Sequence, residues 1–277
     1  MDKIHAVYNS RFNYLNEIKI SPLSRAYTFS DSVYEVIPFC NSKIIAFKRH
    51  IKRLERSCNA LRLTLDIDKT SCEINELIEK SNLINGYVYY QVSRGIDLIR
   101  SHIFDDSLPV ETFGYAVKHN FKSQKIKVML CEDLRWQRCD IKSTSLLGNI
   151  LSMNDAKRRD CNEVIMHKDN ILTEGGASNV FFANDDTVFT PALSNNILPG
   201  ITRELLINEI KASGIKVEEG EFSVSDIRAA KSIWLTSSTK GLAEVIDVLG
   251  IETELDQNQS LFKRCEKIFV EKFLSGS

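Results

Sequence analysis

The chain has 277 residues, enough for one large domain or two moderate ones that each bury a core. Its 36 basic and 37 acidic side chains leave a formal net charge of −1, so no basic excess is available for a phosphate backbone and nucleic acid is not an expected partner. Seven scattered cysteines form no C-x-x-C pair and no stretch is apolar enough to span a membrane, so we expect a soluble, cytoplasmic protein.

The first part of the chain predicts short strands and helices. Two apolar runs over 33–39 and 43–47 flank the turn residues Asn41 and Ser42 and predict a hairpin. Over 48–63, apolar residues recur at the spacing of one face of a helix. The other elements expected here are a helix at about 68–80 and strands over 86–95 and 111–119.

The polar stretch 120–125 has no periodicity, and we interpret it as a linker between a domain at 1–119 and a second domain at 126–277. The second domain is expected to open with a strand over 126–134, and Lys142 follows where a polar strand gives way to an apolar helix. The later expected elements are hairpins over 163–174 and 179–191 and a helix that begins after Pro199-Gly200 and ends at Gly214.

Several common catalytic motifs are missing from the sequence. It has no G-x-G-x-x-G after a strand, no Walker loop, no H-E-x-x-H and no G-x-S-x-G. Its five histidines lack metal-ligand spacing, so no metal site is expected. Covalent chemistry on lysine remains possible, in which the amine condenses with a carbonyl group. On spacing alone, an exposed surface lysine is the simpler interpretation of Lys142.

Six short pieces occur along the chain in the order YEV (34–36), HIKRL (50–54), RWQRCDIKS (135–143), LTEGGASNVF (172–181), LPGITR (198–203) and TSST (236–239). Each piece alone is a weak signal, but together they cover nearly the whole chain. In this order they resemble the fold-type-IV pyridoxal-phosphate enzymes, the family of the D-amino-acid and branched-chain aminotransferases. Within that family, RCDIKS and an R-x-H pair are most similar to the D-amino-acid (D-alanine) aminotransferases.

The resemblance implies a fold and an assembly. The fold is α+β, with the two-domain fold-type-IV aminotransferase architecture. A smaller N-terminal α/β domain is expected beside a larger, cofactor-binding C-terminal domain with a pseudo-barrel sheet. The family also implies a homodimer with residues of both subunits at each site, and amino acids and 2-oxo acids as substrates.

The resemblance also assigns roles at a site for pyridoxal 5′-phosphate. Lys142 would form a Schiff base with the cofactor and then carry a proton between the substrate α-carbon and the cofactor. Glu174 matches the carboxylate that holds the pyridine nitrogen. Ile201 and Thr202 open a helix whose free N–H groups suit an anion. The remaining matches are Arg53, Ser237 and Ser238 at the phosphate and Leu198 behind the ring.

Arg100 and His102 form the R-x-H pair that, in the D-amino-acid enzymes, reaches from the neighbouring subunit to the substrate α-carboxylate. A tyrosine that matches Tyr34 completes that group. The residues that match surrounding positions of the pocket are Glu35, Arg138 and Asn179. The plain alternative for Arg100 and His102 is an exposed pair in a loop, and for Glu35, Arg138 and Asn179 it is a buried salt-bridge partner. For the other residues it is an ordinary turn, helix-surface or core side chain.

The sequence departs from the family pattern in three places. Ser30 and Ser32 replace glycines beside the tyrosine. The stretch 96–99 before Arg100 is one residue longer than in close relatives. An extra Lys-Gly-Leu precedes AEVIDV (243–248), and Asp247 stands where the family tends to have proline. We expect cofactor binding to survive these changes and substrate preference to be affected.

The resemblance implies a transaminase that exchanges the amino group between a D-amino acid, of the D-alanine or D-glutamate type, and a 2-oxo acid. Two alternatives use the same lysine and cofactor. A branched-chain L-amino-acid aminotransferase is disfavoured by the R-x-H pair. An aminodeoxychorismate-type lyase would release pyruvate without an amino acceptor. A non-catalytic protein with the same fold is disfavoured by Lys142, Glu174 and Arg53.

Overall fold

The computed structural model describes residues 3–274, and its contacts divide them into two compact units. Unit 1 contains the residues up to Asn120 together with the short segment Ile141–Ser145. Unit 2 contains Phe121–Asp140 and the residues from Leu146 onward. The proposed linker at 120–125 stays a prediction, and the next strand begins inside this stretch, at Gln124.

Unit 1 is built on a six-stranded antiparallel sheet in the order β2-β1-β6-β5-β3-β4. Its strands are β1 His5–Tyr8, β2 Arg11–Tyr14, β3 Ser32–Cys40, β4 Lys43–Ile44, β5 Gly86–Arg94 and β6 Val110–Lys118. Its helices are α1 Arg25–Phe29, α2 Phe47–Ala60 and α3 Ile67–Ser81. The core forms where apolar side chains of α2 and α3 pack on alternate residues of the sheet, among them Leu54, Leu77 and Val88.

The hairpin predicted in unit 1 is confirmed, although its second strand is shorter than the apolar run 43–47. β3 pairs with β4 through Phe39 and Ile44. Ala46 then adopts a left-handed backbone with φ of 53°, which turns the chain into α2 at Phe47. The predicted helix at 68–80 and the strands over 86–95 and 111–119 are confirmed within a residue or so at each end.

Unit 2 is built on an eight-stranded mixed sheet in the order β12-β11-β10-β13-β14-β7-β8-β9. Its strands are β7 Gln124–Glu132, β8 Glu163–Lys168, β9 Ile171–Gly175, β10 Asn179–Asn184, β11 Thr187–Pro191, β12 Lys216–Gly220, β13 Ser232–Ser237 and β14 Gly241–Leu249. Its helices are α4 Leu147–Arg158, α5 Ile201–Ala212, α6 Val224–Arg228 and α7 Ser260–Phe273. Both hairpins predicted in this part, β8–β9 and β10–β11, are confirmed.

Lys142 does not lie at the end of a strand, so that prediction is wrong. It lies in the segment between β7 and α4, outside the named strands. The Tyr34 N–H donates to the Lys142 carbonyl oxygen at 2.9 Å, and Val33 and Ser143 form an isolated bridge. The backbone of the segment therefore forms hydrogen bonds with β3. This pairing joins residues far apart in sequence, so local periodicity cannot predict it.

Candidate active site

The amine of Lys142 lies over an aromatic ring. Its Nζ is 4.2 Å from the centroid of the Tyr34 ring, in the range of a cation–π contact. The Lys142 N–H donates to the Oγ of buried Ser57 at 3.3 Å, which fixes the backbone from which the side chain extends. Within unit 1, the described residues provide no carboxylate partner for this amine. The amine is therefore positioned without being neutralised by a neighbour.

The Tyr34 ring is itself held by a stack of aromatic side chains across the sheet. Tyr34 stacks on Tyr89 with ring centroids 5.5 Å apart, and Tyr89 stacks on Tyr115 at 5.2 Å. Offset stacks of this kind add stability beyond area burial. The three tyrosines lie on neighbouring strands of unit 1, so the sheet sets the position of the ring beneath Lys142.

Arg53 and His50 gather around the buried carboxylate of Glu35. Arg53 donates from Nε to Oε1 at 2.6 Å and from Nη2 to Oε2 at 2.9 Å, and Nδ1 of His50 lies 2.8 Å from Oε2. Burial opposes ionisation of Glu35, but the charge and hydrogen bonds of Arg53 outweigh it and hold the pKa well below its usual range. Burial lowers the pKa of His50, against the attraction of Glu35.

Arg53 is therefore not a solvated helix residue, which was its plain alternative. It is buried together with His50 and Ser57, which lie on the same side of α2. Glu35 is a buried salt-bridge partner that orients the guanidinium of Arg53, which was its plain alternative, and its place at the pocket stays a prediction.

Arg100 and His102 are exposed in unit 1 and meet on one ring. The Arg100 guanidinium lies 4.4 Å from the centroid of Phe29, and the His102 ring lies 5.4 Å from it. Arg25 anchors the same loop by donating to the Ser101 carbonyl oxygen at 2.6 Å. Among the described residues of unit 1, no contact joins the pair to Tyr34, so the predicted carboxylate-binding group is not assembled within this unit.

In unit 2, Glu174 lies in the buried part of β9, one residue before its end, and is 4% exposed. Its Oε1 accepts a hydrogen bond from Nη1 of Arg135 at 2.7 Å. Its Oε2 accepts from Nδ2 of Asn179 at 3.1 Å and from the Leu198 N–H at 3.0 Å. Burial raises the pKa of Glu174 to about 7, even though Arg135 works in the opposite direction.

Arg135 was missed by the sequence analysis. It binds Asp133 through Nε at 2.9 Å and Nη2 at 2.7 Å while its Nη1 reaches Glu174, so one guanidinium is shared by two buried carboxylates. Burial opposes the charge of Arg135, but the hydrogen bonds of Asp133 prevail and raise its pKa. Arg138 pairs with Asp140 at 3.0 Å and its side chain is 47% exposed, and its expected place at the pocket stays a prediction. One sequence feature could have indicated that Arg135 is buried: Asp133, an acidic residue directly after strand β7, lies two positions before it.

The cluster of Asp133, Arg135 and Glu174 has an uncompensated negative charge when both carboxyls are ionised. Asp133, Arg135 and Glu174 together carry a net charge of −1 in a buried place when both carboxyls are ionised. A carboxylate offers about four acceptor positions, and the described contacts of Glu174 use three of them. The position left over, on Oε1, suits a protonated ring nitrogen. The residues present therefore fit a pyridoxal ring.

The start of α5 is the place where the sequence predicts an anion site. The first backbone bond within the helix runs from the Glu204 N–H to the Gly200 carbonyl oxygen at 3.0 Å, so the N–H groups of Ile201 and Thr202 precede it. A Cβ on Gly200 would lie 1.9 Å from Oδ1 of Asn179, so only glycine allows this approach. Asn179 thereby connects the helix start to Glu174.

Ser237 and Ser238 lie where β13 turns into β14. The Oγ of Ser237 accepts a hydrogen bond from the Lys240 N–H at 3.2 Å, and Gly241 has a left-handed φ of 62° that closes the turn. Both serines are half-buried. Their hydroxyl groups, the helix start at Ile201 and the Glu174 cluster all belong to unit 2.

The described residues were also compared with the requirements of a metal site and of a membrane-spanning helix. Over 3–274, no group of three or more His, Cys, Asp or Glu side chains could hold a metal ion. In the same range, no helix combines the length and apolarity needed to cross a bilayer.

Comparison with characterised proteins places this architecture in a known family. Residues 32–248 match the family model for amino-transferase class IV. The chain is 32% identical to a D-alanine aminotransferase of Listeria innocua, over 96% of this chain and 95% of that protein. It is 34% identical to a D-alanine aminotransferase of Listeria monocytogenes, over 90% of this chain and 89% of that protein.

A solved structure shows the same fold. The branched-chain amino acid aminotransferase of Escherichia coli superposes with a TM-score of 0.87 at 23% identity, covering 99% of this chain and 95% of that one. At this identity the likeness concerns the fold, and it confirms the fold-type-IV class inferred from the six sequence pieces. The match covers most of the chain, and the chain therefore belongs to the amino-transferase class IV family.

Proposed function

We propose that this protein is a pyridoxal-phosphate-dependent transaminase that moves the amino group between a D-amino acid, of the D-alanine or D-glutamate type, and a 2-oxo acid. Family membership supports the aminotransferase reaction. Preference for D-amino acids is supported by the Listeria relatives, which are named D-alanine aminotransferases and align over most of the chain. The observation that carries the cofactor assignment is the buried Glu174 cluster, which is short of one cation.

Pyridoxal phosphate, when bound, supplies an aldehyde that can react with a lysine amine and a protonated ring that withdraws electrons from the substrate. Lys142 is the proposed reactive lysine, and its place over the Tyr34 ring supports this role. The residues proposed to hold the phosphate are Arg53, Ile201, Thr202, Ser237 and Ser238. Leu198 is proposed to pack behind the ring, since its own N–H already binds Glu174.

Glu174 holds a proton at the ring nitrogen. Arg135 and Asn179 fix both of its oxygens, so the carboxylate does not have to be oriented when the ring binds. Burial raises its pKa to about 7, although Arg135, which it shares with Asp133, acts to lower the pKa. A positive ring nitrogen beside it would favour the ionised carboxylate, as any opposite charge does.

Lys142 moves the proton at the substrate α-carbon. An amine can accept this proton from one face of the substrate and return it to a neighbouring atom, and the stereochemistry follows from the face on which the amine stands. The stack of Tyr34 on Tyr89 keeps the ring below the amine in place. The flexible lysine side chain therefore lies against a ring whose position is fixed.

Arg100 and His102 are proposed to bind the substrate carboxylate in the site of a second copy of the chain. Two observations support this: both side chains are exposed, and both rest on Phe29 rather than on Tyr34. A guanidinium and an imidazole on one ring form a suitable pair of donors for a carboxylate. The proposal includes a homodimer with shared active sites.

The reaction is tested by a product assay on protein supplied with pyridoxal phosphate. With D-alanine and 2-oxoglutarate, we expect pyruvate to form together with glutamate. L-leucine in place of D-alanine should give no oxo acid, and omission of 2-oxoglutarate should stop pyruvate after a single turnover. Turnover with L-leucine alone would point to a branched-chain enzyme, and continued pyruvate release without an acceptor would point to a lyase. Either result contradicts the proposed function.

A further inference from the structure

Glu163 is a buried carboxylate outside the roles proposed above. It is the first residue of β8 and is fully buried. Its Oε1 accepts hydrogen bonds from the N–H groups of Gly176 at 3.0 Å and Val164 at 3.1 Å, and its Oε2 accepts one from the Ser178 hydroxyl at 3.4 Å. Gly176 and Ser178 belong to the connection that follows Glu174, so Glu163 holds that connection in place.

The fourth partner of Glu163 is Lys240. Its Nζ forms a hydrogen-bonded ion pair with Oε2 of Glu163. Lys240 closes the turn after β13, where its own N–H donates to the Oγ of Ser237. One lysine therefore binds Glu163 with its side chain and Ser237 with its backbone. This lysine is the first residue of the Lys-Gly-Leu insertion noted in the sequence.

The Glu163 carboxylate is enclosed by backbone and leaves little room for adjustment. A Cβ on Gly176 would lie 2.8 Å from Oε1 of Glu163 and 2.5 Å from Sδ of Met153, so a larger residue here would push against both side chains. The Gly176 carbonyl oxygen accepts a hydrogen bond from Nδ2 of Asn149 at 2.7 Å. The connection after Glu174 is thus fixed from both sides.

We propose that Glu163 and Lys240 are a positioning pair for the cofactor phosphate: they tie the turn of Ser237 and Ser238 to the connection that follows Glu174. The inference rests on the proposed function, because it takes the two serines as phosphate-binding residues. In this proposal neither member of the pair binds the cofactor itself, and both act through the turn and the connection that they hold. A turn that is already fixed binds its ligand without a cost of ordering, so cutting the tie weakens phosphate binding.

The test compares pyridoxal phosphate with pyridoxal, which lacks the phosphate, in absorbance titrations of the apoenzyme. In Lys240→Met, we expect the dissociation constant for pyridoxal phosphate to rise about tenfold and that for pyridoxal to change less than about twofold. Lys240→Arg keeps the charge and should bind both like the wild type. Lys231→Met is the matched control, because Lys231 forms an exposed ion pair with Glu254 at 2.8 Å.

A double variant separates positioning from the mere relief of a buried charge. Glu163→Gln with Lys240→Met leaves no unpaired charge, so its unfolding midpoint should return toward that of the wild type. Its affinity for pyridoxal phosphate should stay low, because the tie is still cut. If Lys240→Met does not fold, the double variant alone carries the test.

Three results would overturn the inference. Lys240→Met could bind pyridoxal phosphate as tightly as the wild type, it could lose affinity for pyridoxal equally, or the double variant could regain phosphate affinity together with stability. Failure of the proposed function has a different signature. The wild type and Lys231→Met would then gain nothing from the phosphate group, and that result overturns both proposals.

Discussion

Two buried carboxylates, one in each unit, are each paired with an arginine, yet their pKa values shift in opposite directions. Glu35 in β3 takes the full fork of Arg53 and a contact from His50, and its pKa lies well below its usual range despite burial. Glu174 in β9 shares Arg135 with Asp133, and burial raises its pKa to about 7.

The difference lies in the charge count around each carboxylate. Glu35 and Arg53 cancel, so the first group is complete within its own unit. Asp133, Arg135 and Glu174 sum to −1, so the second group is one positive charge short. A complete group serves to hold a side chain in place, whereas an incomplete one can bind a ligand of opposite charge. The contrast supports Glu35 as an anchor of Arg53 and Glu174 as a partner of the cofactor ring.

The largest effect is expected at Lys142, which neither carboxylate group neutralises within the described contacts. Lys142→Ala should lower kcat for D-alanine by about 10⁴-fold or more, because Lys142 is the only amine over the Tyr34 ring among the described residues. The unfolding midpoint should change little, since the side chain is only half-buried. Lys157→Ala, at an exposed position of α4, is the control and should keep wild-type turnover. Appreciable residual transamination in Lys142→Ala would contradict the mechanism.

Removing the charge of the anchor should cost stability. Glu35→Gln removes the buried carboxylate charge that pairs with Arg53, so we expect the free energy of unfolding at pH 7 to fall by about 3–5 kcal/mol. Urea denaturation measures this change. Glu55→Gln, on the exposed side of the same helix α2, should change it by less than about 0.5 kcal/mol. If both variants are equally stable, Glu35 is not an anchor.

The raised pKa of Glu174 should make the stability of the apoprotein depend on pH. A carboxyl with a pKa of about 7 when folded and 4.5 when unfolded binds its proton more tightly in the folded apoprotein, so stability falls as pH rises from 4.5 to 7. Over this window the wild type should lose up to about 3 kcal/mol relative to Glu174→Gln, which has no such proton. Denaturation of both apoproteins at several pH values checks this. Parallel stability curves would show that Glu174 titrates normally.

The smallest effect is expected when Asp133 loses its charge, because Arg135 then pairs with Glu174 alone, as Arg53 pairs with Glu35. Asp133→Asn removes the anion that competes for Arg135, so Glu174 should ionise more easily and its pKa should fall. We expect a decrease of about one pKa unit, or about 1.4 kcal/mol, in the pH dependence of apoprotein stability. Asp140→Asn, at the exposed pair with Arg138, is the control and should leave that dependence unchanged. An unchanged pH dependence in Asp133→Asn would mean that the shared arginine does not set the difference.

The local elements of the fold could be predicted because each depends on neighbours in sequence. The helical spacing of Ile51, Leu54 and Cys58 requires only that one face of α2 be buried, and the structure buries it. The β3–β4 hairpin follows from turn residues between two apolar runs. The place of Lys142 could not be predicted in this way. Its segment takes its hydrogen bonds from β3, about a hundred residues earlier in the chain.

The partners of the candidate site show the same limit. Arg135 and Arg138 lie three residues apart in one polar run, and nothing local tells which of them is buried. The structure decides for Arg135, because Asp133 at the end of β7 and Glu174 at the end of β9 come together around it. The family resemblance identified Glu174. Only the fold shows that Asp133, Arg135 and Glu174 come together with one more negative than positive charge.

The visible absorption of the wild-type protein loaded with pyridoxal phosphate tests the central claim most directly. We expect a visible band from the lysine-bound cofactor that disappears on addition of D-alanine, returns with pyruvate and is unaffected by L-leucine. Lys142→Ala should show no such band at equal cofactor. A wild-type protein that develops no band with excess pyridoxal phosphate, or whose band responds only to L-leucine, would contradict the account.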